Sequence, residues 1–287
     1  MSPVSIVTDT THYLPRALVA DLGVQEVSLY VSRQGGTVRE SDIDDYGAFY
    51  EELRASDSLP TTSQPSIGDF LAVYEPLLDA GQDIVSLHIS GGISGTVESA
   101  RQAATEALRE RPGRRIEVVD TGSAAGGMGL IVLAAEAAAR GGADVAGVVD
   151  RSGDAMRSSK IWFAVDTLEY LRRGGRIGTA QAWVGGALKI KPILTLRDEI
   201  VPIERVRTSG RAFERLFEYL QSRQSDGATG WAVQHIQALD QAERMVERGR
   251  ELFGTDPEFV SEIGSVIGAH AGPGLLGVAG VDPELLR

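Results

Sequence analysis

Two short segments combine Ser and Thr side chains with little else that could do chemistry: residues 61–66 read TTSQPS, and residues 90–96 read SGGISGT. The second follows the apolar run 84–89 and precedes a helical pattern over 97–108, which predicts a strand, a glycine-rich turn and a helix N-terminus. Backbone N–H groups and hydroxyls converge at such a turn, and the helix dipole favours an anion there. Because neither segment contains a histidine, cysteine or lysine, the pattern favours holding an anionic group over attacking it.

Ser94 has three possible roles. A nucleophilic serine at a strand-to-helix turn is typical of Gly-x-Ser-x-Gly, but here the second glycine, Gly95, comes one place early. None of the four histidines has a spacing that marks it as a base for Ser94. A serine hydrolase or acyltransferase therefore stays an alternative, beside helix capping by Ser94 or Thr96 and a hydroxyl contact to a ligand.

Phosphate or nucleotide binding at residues 91–96 is a second alternative. A Walker loop needs a lysine after its second glycine, and no lysine lies near this turn. A Gly-x-Gly-x-x-Gly pattern after the first strand is also absent. Nucleotide binding is therefore the weaker interpretation.

The 61–66 segment is partly explained by helix capping. Ser66 and Asp69 form the pattern of a capping box for the helix that follows. This leaves Thr62, Ser63 and Gln64 in a predicted loop without a structural role.

Three arginines cluster in residues 168–178 (LEYLRRGGRIG). A helix C-terminus with Gly174 as a left-handed cap explains Arg172 and Arg173, whose charges offset the helix dipole. It does not explain Arg176, and a docking patch for a partner is the alternative.

Residues 266–274 (VIGAHAGPG) predict a strand that ends at His270 in a tight Gly-Pro-Gly turn. A single histidine is more often structural than functional. The constrained turn beside it makes His270 a candidate site residue.

Composition narrows the function classes. The chain has 287 residues, is 43% hydrophobic and carries a net charge of −12 with a pI of about 4.9, so a nucleic-acid backbone is an unfavourable partner. It has no cysteine and no metal-ligand spacing, which predicts no metal site. No signal peptide pattern and no apolar run of ~18 residues is present, so we expect a cytoplasmic protein.

Alternating patterns predict an α/β fold with two domains, residues 1–157 and 158–287. In the first, strands at 4–8, 24–31, 84–89 and 116–119 alternate with helices at 45–55, 67–78, 96–109, 127–139 and 145–156. This predicts a mostly parallel sheet with helices on both faces. In the second, strands at 160–165, 190–196, 200–206, 231–235 and 260–267 with helices at 211–222 and 239–253 predict a mixed or antiparallel sheet, with a hairpin across residues 197–199.

The predicted parallel sheet brings three polar segments together. Residues 9–11, 90–96 and 120–123 each follow a predicted strand, and ligands in open α/β sheets lie beyond the carboxyl ends of the strands. We therefore expect these segments to line one edge of the sheet.

The order of the motifs carries a family resemblance. Residues 62–66 (TSQPS), 94–96 (SGT), 174–177 (GGRI), 189–194 (KIKPIL) and 270–274 (HAGPG) follow one another, and the chain opens with VTDTT at 7–11. Together, from residue 6 to about residue 277, they resemble the DegV family. Ala271 stands where that family often has threonine, and Gly91 stands where a second serine is common. Both differences could alter how the polar group of a ligand is held.

The resemblance implies a non-enzymatic protein that holds a long-chain fatty acid between two α/β domains. FakB subunits of bacterial fatty acid kinase belong to this family and present the fatty-acid carboxylate to a separate dihydroxyacetone-kinase-like subunit, which makes acyl-phosphate for phospholipid synthesis. It implies no catalytic residue, no cofactor and at most transient membrane contact. The ligand-binding residues it implies are Thr62, Ser63, Ser94, Gly95, Thr96 and His270, and the partner-binding residues are Arg172, Arg173 and Arg176.

Overall fold

A computed structural model describes residues 3–33, 35–56, 58–184 and 190–287. The strands are β1 (Val4–Asp9), β2 (Gln25–Val27), β3 (Tyr30–Arg33), β4 (Gly36–Arg39), β5 (Thr61–Ser63), β6 (Asp83–His88), β7 (Ile116–Asp120), β8 (Lys160–Ala164), β9 (Lys191–Arg197), β10 (Glu199–Val206), β11 (Gly230–His235), β12 (Phe259–Glu262) and β13 (Leu276–Val281). The helices are α1 (Arg16–Leu22), α2 (Tyr46–Ala55), α3 (Ile67–Asp79), α4 (Thr96–Leu108), α5 (Ala125–Arg140), α6 (Val145–Ser158), α7 (Glu169–Arg173), α8 (Ser209–Ser225), α9 (Leu239–Phe253) and α10 (Ser265–Ala271).

The N-terminal half contains a parallel sheet, as predicted. Its strand order is β2-β1-β6-β7. Helices α3 and α4 cover one face, where Phe70, Tyr74 and Ile84 are buried together. Helices α5 and α6 pack on the other face. Ser66 and Asp69 form the predicted capping box at the start of α3.

The C-terminal half contains a six-stranded sheet in the order β10-β9-β8-β13-β11-β12. All neighbours are antiparallel except β11 and β12, so the sheet is mixed, as predicted. The predicted β9–β10 hairpin forms, and its turn residue Asp198 has a φ of 62°. Helices α8 and α9 cover one face of this sheet.

Helix α5 lies between the two large sheets and contacts β1, β8, β11 and β13. Its glycines allow this close approach: a Cβ on Gly127 would collide with Ile161, and one on Gly129 would lie 2.8 Å from the ring of Phe259. Because α5 carries small residues on several faces, strands from both halves of the molecule pack closely against it.

A small antiparallel sheet, β4-β3-β5, was not predicted. Its strand β5 occupies Thr61–Ser63, where a loop was expected, and pairs with β3. Residues 24–31, expected to form one strand, form β2 and the start of β3 in two different sheets. The β-branched Thr61 and Thr62 favour an extended conformation, but three polar residues carry no apolar alternation, so only the pairing with β3 identifies this segment as a strand.

The segment around His270 is helical, so the strand predictions at 260–267 and 266–274 are wrong beyond Glu262. Strand β12 ends at Glu262, and α10 begins at Ser265 and places His270 in its last turn. A short apolar run does not distinguish a buried strand from a buried helix. Strand β13, which follows α10, was not predicted either.

Within the described residues, no helix has the length and apolar character needed to cross a membrane.

Candidate functional site

A cavity of about 1060 Å³, mouth included, lies between the six-stranded sheet and the elements of the N-terminal half. Polar side chains from β5, the turn before α4, and α10 gather at one end. The remainder is walled mainly by apolar side chains: Leu29, Ile89, Ile161, Phe163, Leu196, Ile200, Ile263, Val266, Leu275 and Val278. The cavity is therefore amphipathic along its length.

Thr62 and His270 meet at the polar end. Thr62 Oγ1 and His270 Nε2 are 2.8 Å apart, although the residues are 208 positions apart in sequence. The buried Nδ1 atom of His270 has no hydrogen-bond partner among the described residues and lies against Gly174. Burial lowers the pKa of His270 to about 4, the charge of Arg176 adds to this, and the Gly174 backbone opposes it. The imidazole is therefore neutral at pH 7.

Ser94 lines the same end of the cavity, and the Thr96 side chain contacts Ser94 from the protein interior. Thr96 is fully buried and is not among the lining residues. Its Oγ1 lies 2.8 Å from Ser94 Oγ. Ser63 and Gly95 also line the cavity. A Cβ on Gly95 would lie 2.7 Å from the amide nitrogen of Gln64, so a larger residue here would displace the Gln64 side chain.

Most backbone N–H groups of the 90–96 turn donate within the protein, contrary to the expectation for an anion cradle; among the described residues, that of Gly95 has no hydrogen-bond partner. Gly91 N–H donates to the Asp120 carboxylate, and Gly92 N–H donates to Ser90 Oγ. Ser94 N–H donates to the Ser90 carbonyl oxygen. Because these donors are used and a carboxylate lies beside them, the turn does not favour a phosphate or nucleotide.

The structure brings no histidine to Ser94 among the described residues. The hydroxyl contact of Ser94 is with Thr96, and His270 contacts Thr62. His88 instead joins Asp9 and Ser86 in a hydrogen-bonded chain whose three side chains are fully buried. Asp9, expected at the ligand edge, accepts from the N–H of Ile89 and so fixes the strand end before the turn.

The three arginines separate into two groups. Arg176 lines the cavity and donates to the carbonyl oxygens of Gly174 and Ile93. Arg172 is exposed and pairs with Glu169, and Arg173 is exposed on the same short helix α7. Gly174 is not left-handed as predicted, with a φ of −76°. The left-handed residue is Gly175, with a φ of 69°.

No group of three or more potential ligand side chains has the geometry of a metal site within the part of the chain that the structure describes.

Comparison with known proteins identifies the family. The family model described as "Uncharacterised protein, DegV family" matches residues 3–282. The chain belongs to the DegV family. A DegV domain-containing protein of Streptomyces coelicolor is 40% identical over 278 residues, which covers 96% of this chain and 97% of that protein.

Solved DegV structures share the whole fold. A fatty-acid-binding DegV family protein from Thermus thermophilus is 35% identical, with a TM-score of 0.86 over 97% of this chain and 99% of that one. DegV of Bacillus subtilis, described as a fatty acid binding protein, is 33% identical, with a TM-score of 0.87 over 98% of this chain and 99% of that one.

The other DegV motif residues have different positions. Lys189, in the 189–194 motif, lies outside the described residues. Lys191, in the same motif, forms a salt bridge with Asp166. Ala271 is buried and lines the cavity beside His270.

Sequence reasoning missed the apolar wall and Gln234, which also lines the cavity. A signal was present for part of the wall, because Ile161 and Phe163 alternate along β8 and point to one face of the sheet. Nothing in the sequence marked Gln234.

Proposed function

We propose that the protein binds a long-chain fatty acid in this cavity, between domains 1–157 and 158–287. The observation that carries the proposal is the arrangement of one cavity with Thr62, Ser94 and His270 at one end and apolar walls along the rest. A carboxylate would lie at the polar end and the acyl chain along the walls. The fatty-acid binding described for the Thermus and Bacillus proteins supports this assignment.

The head-group chemistry follows from the protonation state of His270. We assign the proton of the neutral imidazole to Nε2, which then donates to Thr62 Oγ1 and leaves Nδ1, beside Gly174, as a lone pair. The Thr62 hydroxyl proton is then free to donate to a carboxylate oxygen, with Ser94 as a second donor. Hydrogen bonds to a charged group contribute about 1.5–3 kcal/mol each.

The acyl chain supplies most of the affinity. Burying ~15 methylene groups at about 0.8 kcal/mol each contributes roughly 12 kcal/mol before ordering costs. Neutral hydroxyls therefore suffice at the head group, and the carboxylate stays ionised and able to act as a nucleophile.

Presentation of the carboxylate to a separate kinase subunit is the second part of the proposal. Arg176 lies at the cavity, and Arg172 and Arg173 lie on the adjoining exposed helix α7. Such a surface suits a partner that delivers phosphate from ATP to the exposed head group. With a dihydroxyacetone-kinase-like subunit and ATP, Arg176→Gln should lower the rate of acyl-phosphate formation, whereas Arg109→Gln, at the end of helix α4 far from Ser94, should leave it unchanged.

The binding proposal is tested by solvent extraction of the purified protein and mass spectrometry. We expect one long-chain fatty acid per chain, or uptake to that ratio when fatty acid is added. Absence of both would refute the proposal, whatever the kinase experiment shows.

The head-group assignment is tested with matched variants. Thr62→Val removes the hydroxyl and keeps the shape, so it should weaken fatty-acid binding by about tenfold or more, as should Ser94→Ala. Thr62→Ser keeps the hydroxyl and should bind within a few-fold of wild type. Equal affinities for Thr62→Val and Thr62→Ser in calorimetric titrations of ligand-stripped protein would count against Thr62.

A further inference from the structure

Two clefts adjoin at the end of β8 that lies away from His270. Strand β8 runs from Lys160 toward α7, and Gly174 at the end of α7 contacts His270. One cleft, about 780 Å³ with its open mouth included, lies under α8, and the other, about 880 Å³ on the same measure, lies on the opposite side of β8 and β9. Lys160 and Arg197 line both clefts.

Lys160 and Arg197 come from neighbouring strands in matching positions. The antiparallel pairs Phe163–Leu194 and Ala164–Ile193, continued to the strand ends, set Lys160 opposite Arg197. Both side chains are exposed, and neither forms an ion pair with any carboxylate among the described residues. Like charges that lie close together on a sheet repel each other, and a bound anion would remove this repulsion.

The cleft under α8 also contains buried polar atoms without partners. Tyr219 and Arg223 line it and are only 6% and 5% exposed. The Tyr219 hydroxyl and Arg223 Nε have no hydrogen-bond partner among the described residues. Tyr219 stacks on Trp162, with ring centroids 4.3 Å apart. Buried hydrogen-bond donors without partners are costly. The unpartnered donors of Tyr219 and Arg223 lie in the same cleft as Lys160 and Arg197, which indicates that an anion binds there.

The charge balance of this cleft opposes that of the chain. The whole sequence has a net charge of −12, yet four cationic and two acidic side chains line the cleft. The two acidic side chains are already neutralised, Glu218 by Arg215 and Asp226 by Arg223. In the adjoining cleft, the Asp198 carboxylate lies near Gly122 at the hairpin tip. The cationic potential is therefore local to Lys160 and Arg197.

We propose that this cleft is a second binding site, specific for a phosphate-bearing anion, at the β9–β10 hairpin end of the six-stranded sheet. Lys160 and Arg197 hold the phosphate oxygens, and Tyr219 donates a hydrogen bond from the floor of the cleft. The phosphate group belongs to a lipid head group or to a free phosphate compound. The adjoining cleft shares Ile161, Trp162 and Leu196 with the wall of the large cavity.

The charge-matched test compares two double variants. Lys160→Gln/Arg197→Gln and the control Arg101→Gln/Arg109→Gln remove the same charge, and the control arginines are exposed near α4 and form no ion pair with a described carboxylate. Inorganic phosphate is titrated by calorimetry, and binding to vesicles of phosphatidylglycerol with phosphatidylcholine is compared with binding to pure phosphatidylcholine vesicles. We expect wild type and control to bind alike and Lys160→Gln/Arg197→Gln to bind at least tenfold more weakly.

The two probes distinguish the sources of the phosphate. Binding of inorganic phosphate alone assigns a free phosphate compound, and binding of anionic vesicles assigns a lipid head group. No binding by wild type in either arm, or equal weakening in the control variant, overturns the proposal. Fatty-acid affinity, measured in parallel, stays unchanged in both double variants, so this site fails or survives independently of the proposed function.

A conservative variant checks the floor of the cleft. Tyr219→Phe removes only the unpartnered hydroxyl, so it should leave thermal stability unchanged and weaken phosphate binding several-fold. Unchanged phosphate binding by Tyr219→Phe refutes the role of this hydroxyl.

Discussion

At the scale of single residues, His270 forms a hydrogen bond with Thr62 in an environment that disfavours the protonated imidazole. Burial and the charge of Arg176 lower its pKa to about 4. Unfolded histidine has a pKa of about 6.5. Between these values the unfolded chain binds a proton that the folded chain does not, so the free energy of unfolding falls as pH decreases from 6.5 to 4.

This predicts a pH effect that His270→Asn removes. From pH 7.5 to pH 5, ligand-free wild type should lose about 2 kcal/mol more stability than His270→Asn, at about 1.4 kcal/mol per pH unit below 6.5. Urea unfolding at both pH values measures it. Contributions from His235, whose pKa burial also lowers, are common to both proteins and cancel. Equal losses in the two proteins would contradict the assignment.

At the scale of elements, helix α10 has seven residues and depends on the N-terminal half for its position. The buried Glu40 carboxylate accepts from Val266 N–H in its first turn and from the hydroxyls of Tyr13 and Thr10. Burial raises the pKa of Glu40, while the hydrogen bonds from Thr10 and Val266 oppose this. A side chain 226 positions away in sequence thus anchors the helix that carries His270.

Removing this anchor should destabilise the protein and loosen the site. Glu40→Ala leaves several buried donors unpaired, so we expect a loss of about 3 kcal/mol or more in urea unfolding and weaker fatty-acid binding. Glu40→Gln keeps one carbonyl oxygen and the shape, and should lose markedly less at pH 7. Equal stability of Glu40→Ala and wild type would show that α10 does not depend on this contact.

At the scale of the whole molecule, the two halves meet at more than helix α5. The turn of the β9–β10 hairpin packs on the 90–96 turn, where Ser90 Oγ donates to the carbonyl oxygen of Asp198. A Cβ on Gly92 would collide with that same backbone carbonyl. The loop that carries Ser94 is therefore held in place by the C-terminal sheet.

A matched pair of glycine substitutions tests this contact. Gly92→Ala should destabilise the protein by about 1–3 kcal/mol, because the hairpin backbone must move. Gly210→Ala, in helix α8 with open space around the added methyl, should be neutral or stabilise by about 0.5–1 kcal/mol. Thermal or urea unfolding measures both. A neutral Gly92→Ala would mean that the turn and the hairpin are not in contact.

The sequence by itself determined the local and repetitive features. Alternating strands and helices predicted the parallel sheet, the Ser66–Asp69 pattern predicted the capping box, and residues 190–206 predicted the hairpin. The order of short motifs was enough to indicate the DegV family. The strand, helix, cap and hairpin signals depend on residues close together in the chain, and each family motif is itself a short local segment.

Only the tertiary structure decided how the site is assembled. Strand β5 forms because β3 pairs with it, and α10 is a helix anchored by Glu40, although its apolar run also suits a strand. The 2.8 Å contact between Thr62 and His270 joins residues 208 positions apart. The 90–96 turn, which looked like an open anion cradle, has most of its N–H groups bonded within the protein and leaves the Ser94 hydroxyl and the Gly95 N–H to a ligand. Such pairings depend on distant segments, so no local pattern could have specified them.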